Sequence, residues 1–267
     1  MDKHTTDQAE GLRRLLAGRA TRIVAVTGGP AGVGCTTTVV NLAAALAALG
    51  KDVLVVDERS DVDSAAAKLA SSWVRTGSTV RHAAGFSICV AAELALARDG
   101  YDDARLAAYL DGAADIVLVD AQRDAEGAFS ALARAANDVL VVTRVAGPAI
   151  TEAHACMKRL HYAHALAQFR VLVNHVQSAA DENLAGVASR YLAVALDEGG
   201  YVSADPLVAR ARELVHTVVD AFPSAAAARD YRQIAQDLLY WPMRPARATG
   251  RVYAGHPAIE RGAAHAA

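Results

Sequence analysis

The apolar run Ile23-Val24-Ala25-Val26-Thr27 breaks at a Gly/Pro loop and gives way to an Ala/Leu-rich stretch from Thr36 to Leu49, closed by Gly50. A strand that is apolar at successive positions, rather than at alternate ones, has to be covered on both faces. The same pattern recurs at Val53 to Asp57, Phe86 to Ala91, Ile116 to Asp120, Val139 to Thr143 and Phe169 to Asn174, with room for a crossover helix between strands. Strands alternating with helices in this way predict an α/β fold, a doubly wound, mostly parallel sheet flanked by helices. At 267 residues the chain suits one such domain better than two small ones.

Two segments lie outside the alternation. Residues 5–18 predict a short helix, with Thr5 or Thr6 as N-cap, Asp7 and Glu10 in the first turn and Gly18 as the stop. Leu12, Leu15 and Leu16 form its apolar stripe, flanked by Arg13 and Arg14. Beyond Tyr240-Trp241-Pro242 the composition is rich in Pro, Gly, Ala and Arg, which predicts disorder. The expected organisation is a helix within 1–20, an α/β domain over 21–241 and a tail over 242–267.

Charge and cysteine content narrow the function classes. A formal charge of −2 gives no global positive field for DNA or anionic lipid. Cys35, Cys89 and Cys156 are widely spaced and lack CxxC pairing, which argues against a disulfide framework or zinc site and fits a reducing compartment. The polar start Met1-Asp2-Lys3-His4 does not resemble a signal peptide, and no apolar run is long enough to span a bilayer. The expected location is the cytoplasm.

The chemistry sits in Gly29-Pro30-Ala31-Gly32-Val33-Gly34-Cys35-Thr36, between a strand and a helix. It matches the phosphate-loop pattern G-x-x-x-x-G-K-[ST] at every fixed position except the lysine, which is Cys35. The glycines allow backbone N–H groups to surround an anion at the positive end of the next helix. Thr36 is placed to ligate Mg²⁺, and Asp120 ends a later strand where a second metal-binding acid belongs. Asp57 ends the strand after the loop helix, a position suited to a metal- or water-positioning carboxylate. Cys35 cannot supply the ammonium, and Lys3, Lys51, Lys68 and Lys158 all lie far from the loop in sequence. Arg59, Arg123 and Arg144 each follow a strand's carboxyl end, the edge where such sheets bind ligands, and are candidates to replace it. A helix N-terminus could also lower the pKa of Cys35 and make it reactive.

These residues resemble the MinD/ParA class of ATPases, and within it the FlhG (FleN) flagellar-number regulators, over about residues 5–240. The family loop G-K-G-G-V-G-K-T aligns with Gly29 to Thr36, so both of its lysines are replaced, by Pro30 and Cys35. The family's D-A-D strand end reads Asp57-Glu58-Arg59, keeping the first acid but not the second. The resemblance implies ATP and Mg²⁺ as ligands, with Gly29, Gly32, Val33, Gly34, Cys35, Thr36 and Thr37 around the phosphates. It also implies Asn174, in Val173-Asn174-His175, against the adenine, and Asp205, in Gly200-Tyr201-Val202-Ser203-Ala204-Asp205-Pro206, beside the base. The pattern D-Q-A-x-x-L-R at Asp7 to Arg13 selects FlhG. There the resemblance implies that the helix stimulates an FlhF-type SRP GTPase, with Gln8 acting at the partner's GTP site and Leu12 and Arg13 docking the helix.

The expected function is therefore a regulator of flagellar number and placement that stimulates such a GTPase. Its own ATP hydrolysis is weak or lost, and flagellar C-ring proteins are further partners. Two alternatives stay open at this stage: an active ATPase switch cycling between monomer and membrane-associated dimer, and a related cargo-positioning homologue. Homodimerisation is left undecided. Membrane association has weak support, because Ala225 to Trp241 ends in Leu238-Leu239-Tyr240-Trp241 without a clear basic face. The few lysines and the lack of a basic stripe argue against nucleic acid.

Overall fold

A computed structural model describes residues 21–59, 64–65, 69, 73–76, 79–91, 114–177 and 195–242. The helix expected within 1–20, with Gln8, Leu12 and Arg13, and the tail over 243–267 lie outside the described residues. The strands are β1 (Arg22–Gly28), β2 (Val53–Asp57), β3 (Trp73–Thr76), β4 (Thr79–His82), β5 (Ser87–Val90), β6 (Ile116–Asp120), β7 (Asp138–Arg144), β8 (Gln168–Val176) and β9 (Ala195–Ser203). The helices are α1 (Cys35–Ala48), α2 (Ala131–Arg134), α3 (Gly147–His164), α4 (Pro206–Glu213), α5 (Val218–Ala221) and α6 (Ala226–Tyr240).

The strands form one sheet in the order β3-β4-β5-β2-β6-β1-β7-β8-β9. From β5 to β9 every pairing is parallel, and β3–β4–β5 adds an antiparallel edge. The expected doubly wound, mostly parallel sheet is therefore present. The hairpin and β9 were not foreseen.

Period-2 alternation sends each central strand into two cores. Val24, Val26, Val53, Val55, Leu118, Leu140 and Val142 pack with α1, α5 and α6 on one face. Ala25, Leu54, Val56, Val117, Val119, Val139 and Val141 pack with α2 and α3 on the other. Ala-rich α1 lies close to the sheet, and Asn41 in its middle accepts from the Val218 N–H at 2.7 Å, fixing the start of α5. Gly50, at φ +77°, follows the end of α1 and donates to the Ala47 carbonyl.

At the same end of the sheet, where β1 begins, buried Arg22 donates to the carbonyls of Leu238 and Trp241 at 2.7 and 2.6 Å. Leu238 lies in the last turn of α6 and Trp241 is its C-cap, where carbonyls lack the partners of a continuing helix. Asp138, fully buried, balances the charge with Arg170 at 3.2 Å and Arg22 at 3.8 Å. The Arg170 guanidinium stacks 4.1 Å from the Trp241 ring.

The chain crosses β6 to run from β1 to β2, then returns to place β6 beside β1 and β7 on its far side. The direction of winding reverses at β1. In open α/β sheets the crevice above such a reversal, at the carboxyl ends of the strands, is the ligand site.

Candidate functional site

The loop after β1 lies at that reversal. Gly32 and Gly34 take φ of +79° and +105°, the left-handed region where a Cβ is costly. Gly34 also precedes α1 as its N-cap residue. Val33 between them is buried and anchors the loop in the core. The Asn174 amide donates to the Val33 carbonyl at 2.8 Å. A Cβ at Gly34 would stand 2.2 Å from that same nitrogen. On the other side a Cβ at Gly29 would stand 2.5 Å from the Ala153 nitrogen, so the loop rests on the backbone of α3.

The loop lines a cavity of about 830 Å³. It brings together Gly29, Gly32, Val33, Gly34, Cys35, Thr36, Thr37, Asn174 and Asp205, all of the nucleotide-site residues expected from the sequence. Asp57 and Asp120 end neighbouring strands, face each other in register and are fully buried. Thr36 is also buried, at the first turn of α1.

Three features differ from expectation. Burial pushes the Cys35 thiol up to about 12, with Asp120 adding to the shift and Arg59 and Arg123 opposing it. The reactive-thiolate expectation is therefore corrected: desolvation, the largest influence, moves the thiol away from the thiolate rather than towards it. Asn174 turns its carboxamide to the polypeptide: besides the Val33 bond, its oxygen accepts from the His175 N–H at 2.9 Å. Asp205 caps α4 through the Leu207 N–H at 2.9 Å and accepts from the Ala227 N–H at 3.2 Å. Both residues build the wall of the cavity as well as lining it.

The residue after Asp57 was passed over in the sequence. Glu58 accepts from the Ser130 hydroxyl at 2.5 Å and from the Gln122 N–H at 3.1 Å. Burial raises its pKa above the ordinary 4.5, the two hydrogen bonds hold it down, and Asp120 and Asp57 push it further up. It ties the end of β2 to the segment after β6 and to the N-cap of α2.

That segment carries Arg123. One terminal guanidinium nitrogen donates to the carbonyls of Gly28 at 2.8 Å and Gly29 at 2.9 Å, where the loop begins. Arg59 donates its backbone N–H to Asp57 at 3.0 Å. Arg144, Arg159 and Arg212 also line the cavity. Among the described residues Arg123, Arg144, Arg159 and Arg212 are in no ion pair. Arg159 and Arg212 were missed in the sequence. Arg212 shares a face with Val208, four residues earlier on α4, a spacing that becomes readable once the helix is known.

A glycine loop in left-handed conformation, a helix N-terminus and guanidiniums outside any ion pair give the cavity the chemistry to take an anion with several negative charges. A buried Thr36 near buried strand-end acids is the donor set a hard divalent cation takes. The residues present thus fit a nucleotide phosphate tail with Mg²⁺, except that position 35 supplies no charge.

Comparison with known proteins agrees with this geometry. Residues 24–217 match the family described as the CobQ/CobB/MinD/ParA nucleotide binding domain. The chain is 30% identical to the antiactivator FleN of Pseudomonas aeruginosa over 254 residues, covering 86% of this chain and 90% of that protein. Among solved structures, the MinD cell division protein of Aquifex aeolicus is similar with a TM-score of 0.66 at 19% identity, covering 85% of this chain and 100% of that one. The septum site-determining protein MinD of Pyrococcus horikoshii, complexed with Mg-ADP, gives 0.62 at 18% identity, covering 82% and 96%.

Proposed function

The chain belongs to the CobQ/CobB/MinD/ParA nucleotide-binding family, among the FleN relatives, and from that premise we propose that it regulates flagellar number and placement by contact rather than by turnover. The observation carrying this reading is the state of the loop. The loop keeps its left-handed glycines and its helix N-terminus, while position 35 holds a half-buried thiol whose pKa is pushed up to about 12. A neutral side chain there adds no charge to a phosphate tail, and Arg59 replaces the second strand-end acid of the family pattern.

In this reading ATP with Mg²⁺ is held by the loop and α1, with Thr36 and Asp120 on the metal. Bound Mg²⁺ would neutralise phosphate charge; the chain's own groups bind and orient. Hydrolysis is weak or absent. The N-terminal helix, through Gln8, Leu12 and Arg13, stimulates an FlhF-type SRP GTPase, and the α/β domain presents a surface to flagellar assembly proteins. The name of the Pseudomonas relative, an antiactivator, adds an activator protein as a further partner class. No described helix is long and apolar enough to cross a membrane.

The test combines measurements on the full chain with one on its N-terminal segment. ATP binding is followed by calorimetry and Mg-ATP hydrolysis by phosphate release for the native chain and Cys35→Lys, and the partner's GTPase rate is measured with the native chain, with Gln8→Ala and with a peptide of residues 1–20. GTPase stimulation that needs Gln8, without ATP turnover by the chain, is the expected result. Fast Mg-ATP hydrolysis by the native chain, or no stimulation, overturns the proposal.

A further inference from the structure

The charge missing from position 35 has a replacement within reach of the loop. Five guanidiniums line the cavity, from Arg59, Arg123, Arg144, Arg159 and Arg212. Arg144, Arg159 and Arg212 are exposed, and the Arg59 group that bonds Asp57 is its backbone N–H. Arg123 is seated on the loop itself, across the carbonyls of Gly28 and Gly29. A guanidinium has five N–H donors, and these bonds occupy the two on one nitrogen. The charge of Arg123 lies close enough to Cys35 to act on its thiol against burial.

The backbone beneath Arg123 is braced. Arg123 bridges Phe129 in antiparallel fashion. The Asp124 carboxylate accepts from the Ala128 N–H at 2.7 Å, and the backbone turn closes through Asp124 to Ala128 and Gly127 to Asp124. Gln122 is tied to Glu58 and Phe129 to His164. A side chain ordered before its ligand arrives loses less entropy on binding than a free surface arginine.

We propose that Arg123 takes the place of the loop lysine, binding the phosphate tail of a nucleoside triphosphate with a guanidinium that reaches the loop from the end of β6. The assignment rests on the nucleotide-binding reading above. It also changes how the charge is delivered. A lysine at position 35 would be carried by the loop it serves, whereas Arg123 comes from a separate turn and holds the loop's first carbonyls at the same time. Loop shape and phosphate charge are then supplied by one side chain. A guanidinium offers fixed, fork-like donors instead of a mobile point charge, which favours tight holding over adjustment during reaction.

The experiment measures dissociation constants in the full chain, with Mg²⁺ present. ATP and adenosine are measured by competition against a fluorescent ATP analogue, for the native chain, Arg123→Ala and Arg123→Gln. The Gln variant keeps an N–H donor for the loop carbonyls and removes the charge, so it covers the case in which Arg123→Ala disturbs folding. Expected is a loss of ATP affinity of about 10- to 100-fold in both variants, the scale of a hydrogen bond to a charged group. Adenosine affinity should stay within about two-fold, since Arg123 is assigned to the phosphates. ATP affinity unchanged in both variants overturns the assignment and leaves nucleotide binding standing. Equal loss for ATP and adenosine also overturns it, because that is the signature of a structural role. Failure of the native chain to bind ATP at all overturns the nucleotide reading and this assignment together.

Discussion

Replacing Gly34 by alanine tests how the loop keeps its shape. Gly34 stands at φ +105°, where a non-glycine residue costs about 1–2 kcal/mol. Its new Cβ would stand 2.2 Å from the Asn174 amide nitrogen, the far end of a side chain that can swing away. Swinging breaks the 2.8 Å bond to the Val33 carbonyl, a further loss of about 1 kcal/mol. Together the change should cost about 2–3 kcal/mol and lower Tm by about 5–10 °C for a domain of this size. Urea unfolding of Gly34→Ala, Asn174→Ala and the double variant separates the two contributions. In the Asn174→Ala background the clash and the bond are both gone, so Gly34→Ala should cost only the backbone share, leaving a coupling of about 1 kcal/mol. Equal cost in the two backgrounds, or a total below about 0.5 kcal/mol, would refute the account of the loop.

Asp138→Asn leaves Arg22 and Arg170 facing a neutral partner in a site with no solvent exposure at the carboxylate, and should destabilise by about 3–5 kcal/mol in urea unfolding; a cost below 1 kcal/mol would refute the buried network. Glu58 has a folded pKa above its ordinary 4.5, so its contribution to stability is complete below that value and is lost as pH rises through the raised one. Glu58→Gln should therefore be neutral or stabilising at neutral pH, with its advantage shrinking in acid; an advantage that grows in acid would reverse the sign argued here. Cys35, half-buried with its pKa pushed up to about 12, and the buried Cys89 and Cys156 should react with iodoacetamide at pH 8 far more slowly in the native chain than in urea, and rapid native labelling at Cys35 would refute the raised pKa.

The central strands were legible because burial on both faces leaves an unbroken apolar run, as in Val53 to Asp57 and Ile116 to Asp120. The edges were not. In β9, Ala195–Ser203 carries Asp197, Glu198, Gly199 and Gly200, and the ladder to β8 shifts register there, so neither periodicity nor propensity marks a strand. A Cβ at Gly199 would stand 2.9 Å from the Val171 carbonyl, which explains a glycine at that point. The hairpin of β3 and β4 is too short for its pattern to stand out. In the site, the loop could be read from spacing alone. The contact between Arg123 and Gly28 spans 95 residues and depends on the register between β1 and β6, which one sequence does not encode visibly. Asn174 and Asp205 line the cavity, and their bonds to the loop and to the helix starts emerge only from packing.

The arrangement explains how the loop can lose its lysine without losing its form. A loop shaped chiefly by its ligand and its lysine would be expected to collapse or drift once the lysine was gone. Here each part of the loop is held by something else: Gly28 and Gly29 by Arg123, Val33 by the core and by Asn174, and Gly29 by close approach to α3. None of these contacts requires a phosphate. The shape of the cradle is therefore a property of the fold, and position 35 is free to hold a half-buried thiol that faces the cavity and packs against the base of the loop, where a Cβ at Gly28 would stand 2.7 Å from its sulfur. Turnover and shape have separate physical supports in this chain. A protein acting by contact needs the second and can dispense with the first. Restoring the ammonium with Cys35→Lys should accordingly leave urea stability within about 1 kcal/mol of the native chain, as for a substitution tied to no shape-holding contact. A larger loss would show that the thiol itself holds the loop, and would remove the basis for separating the two.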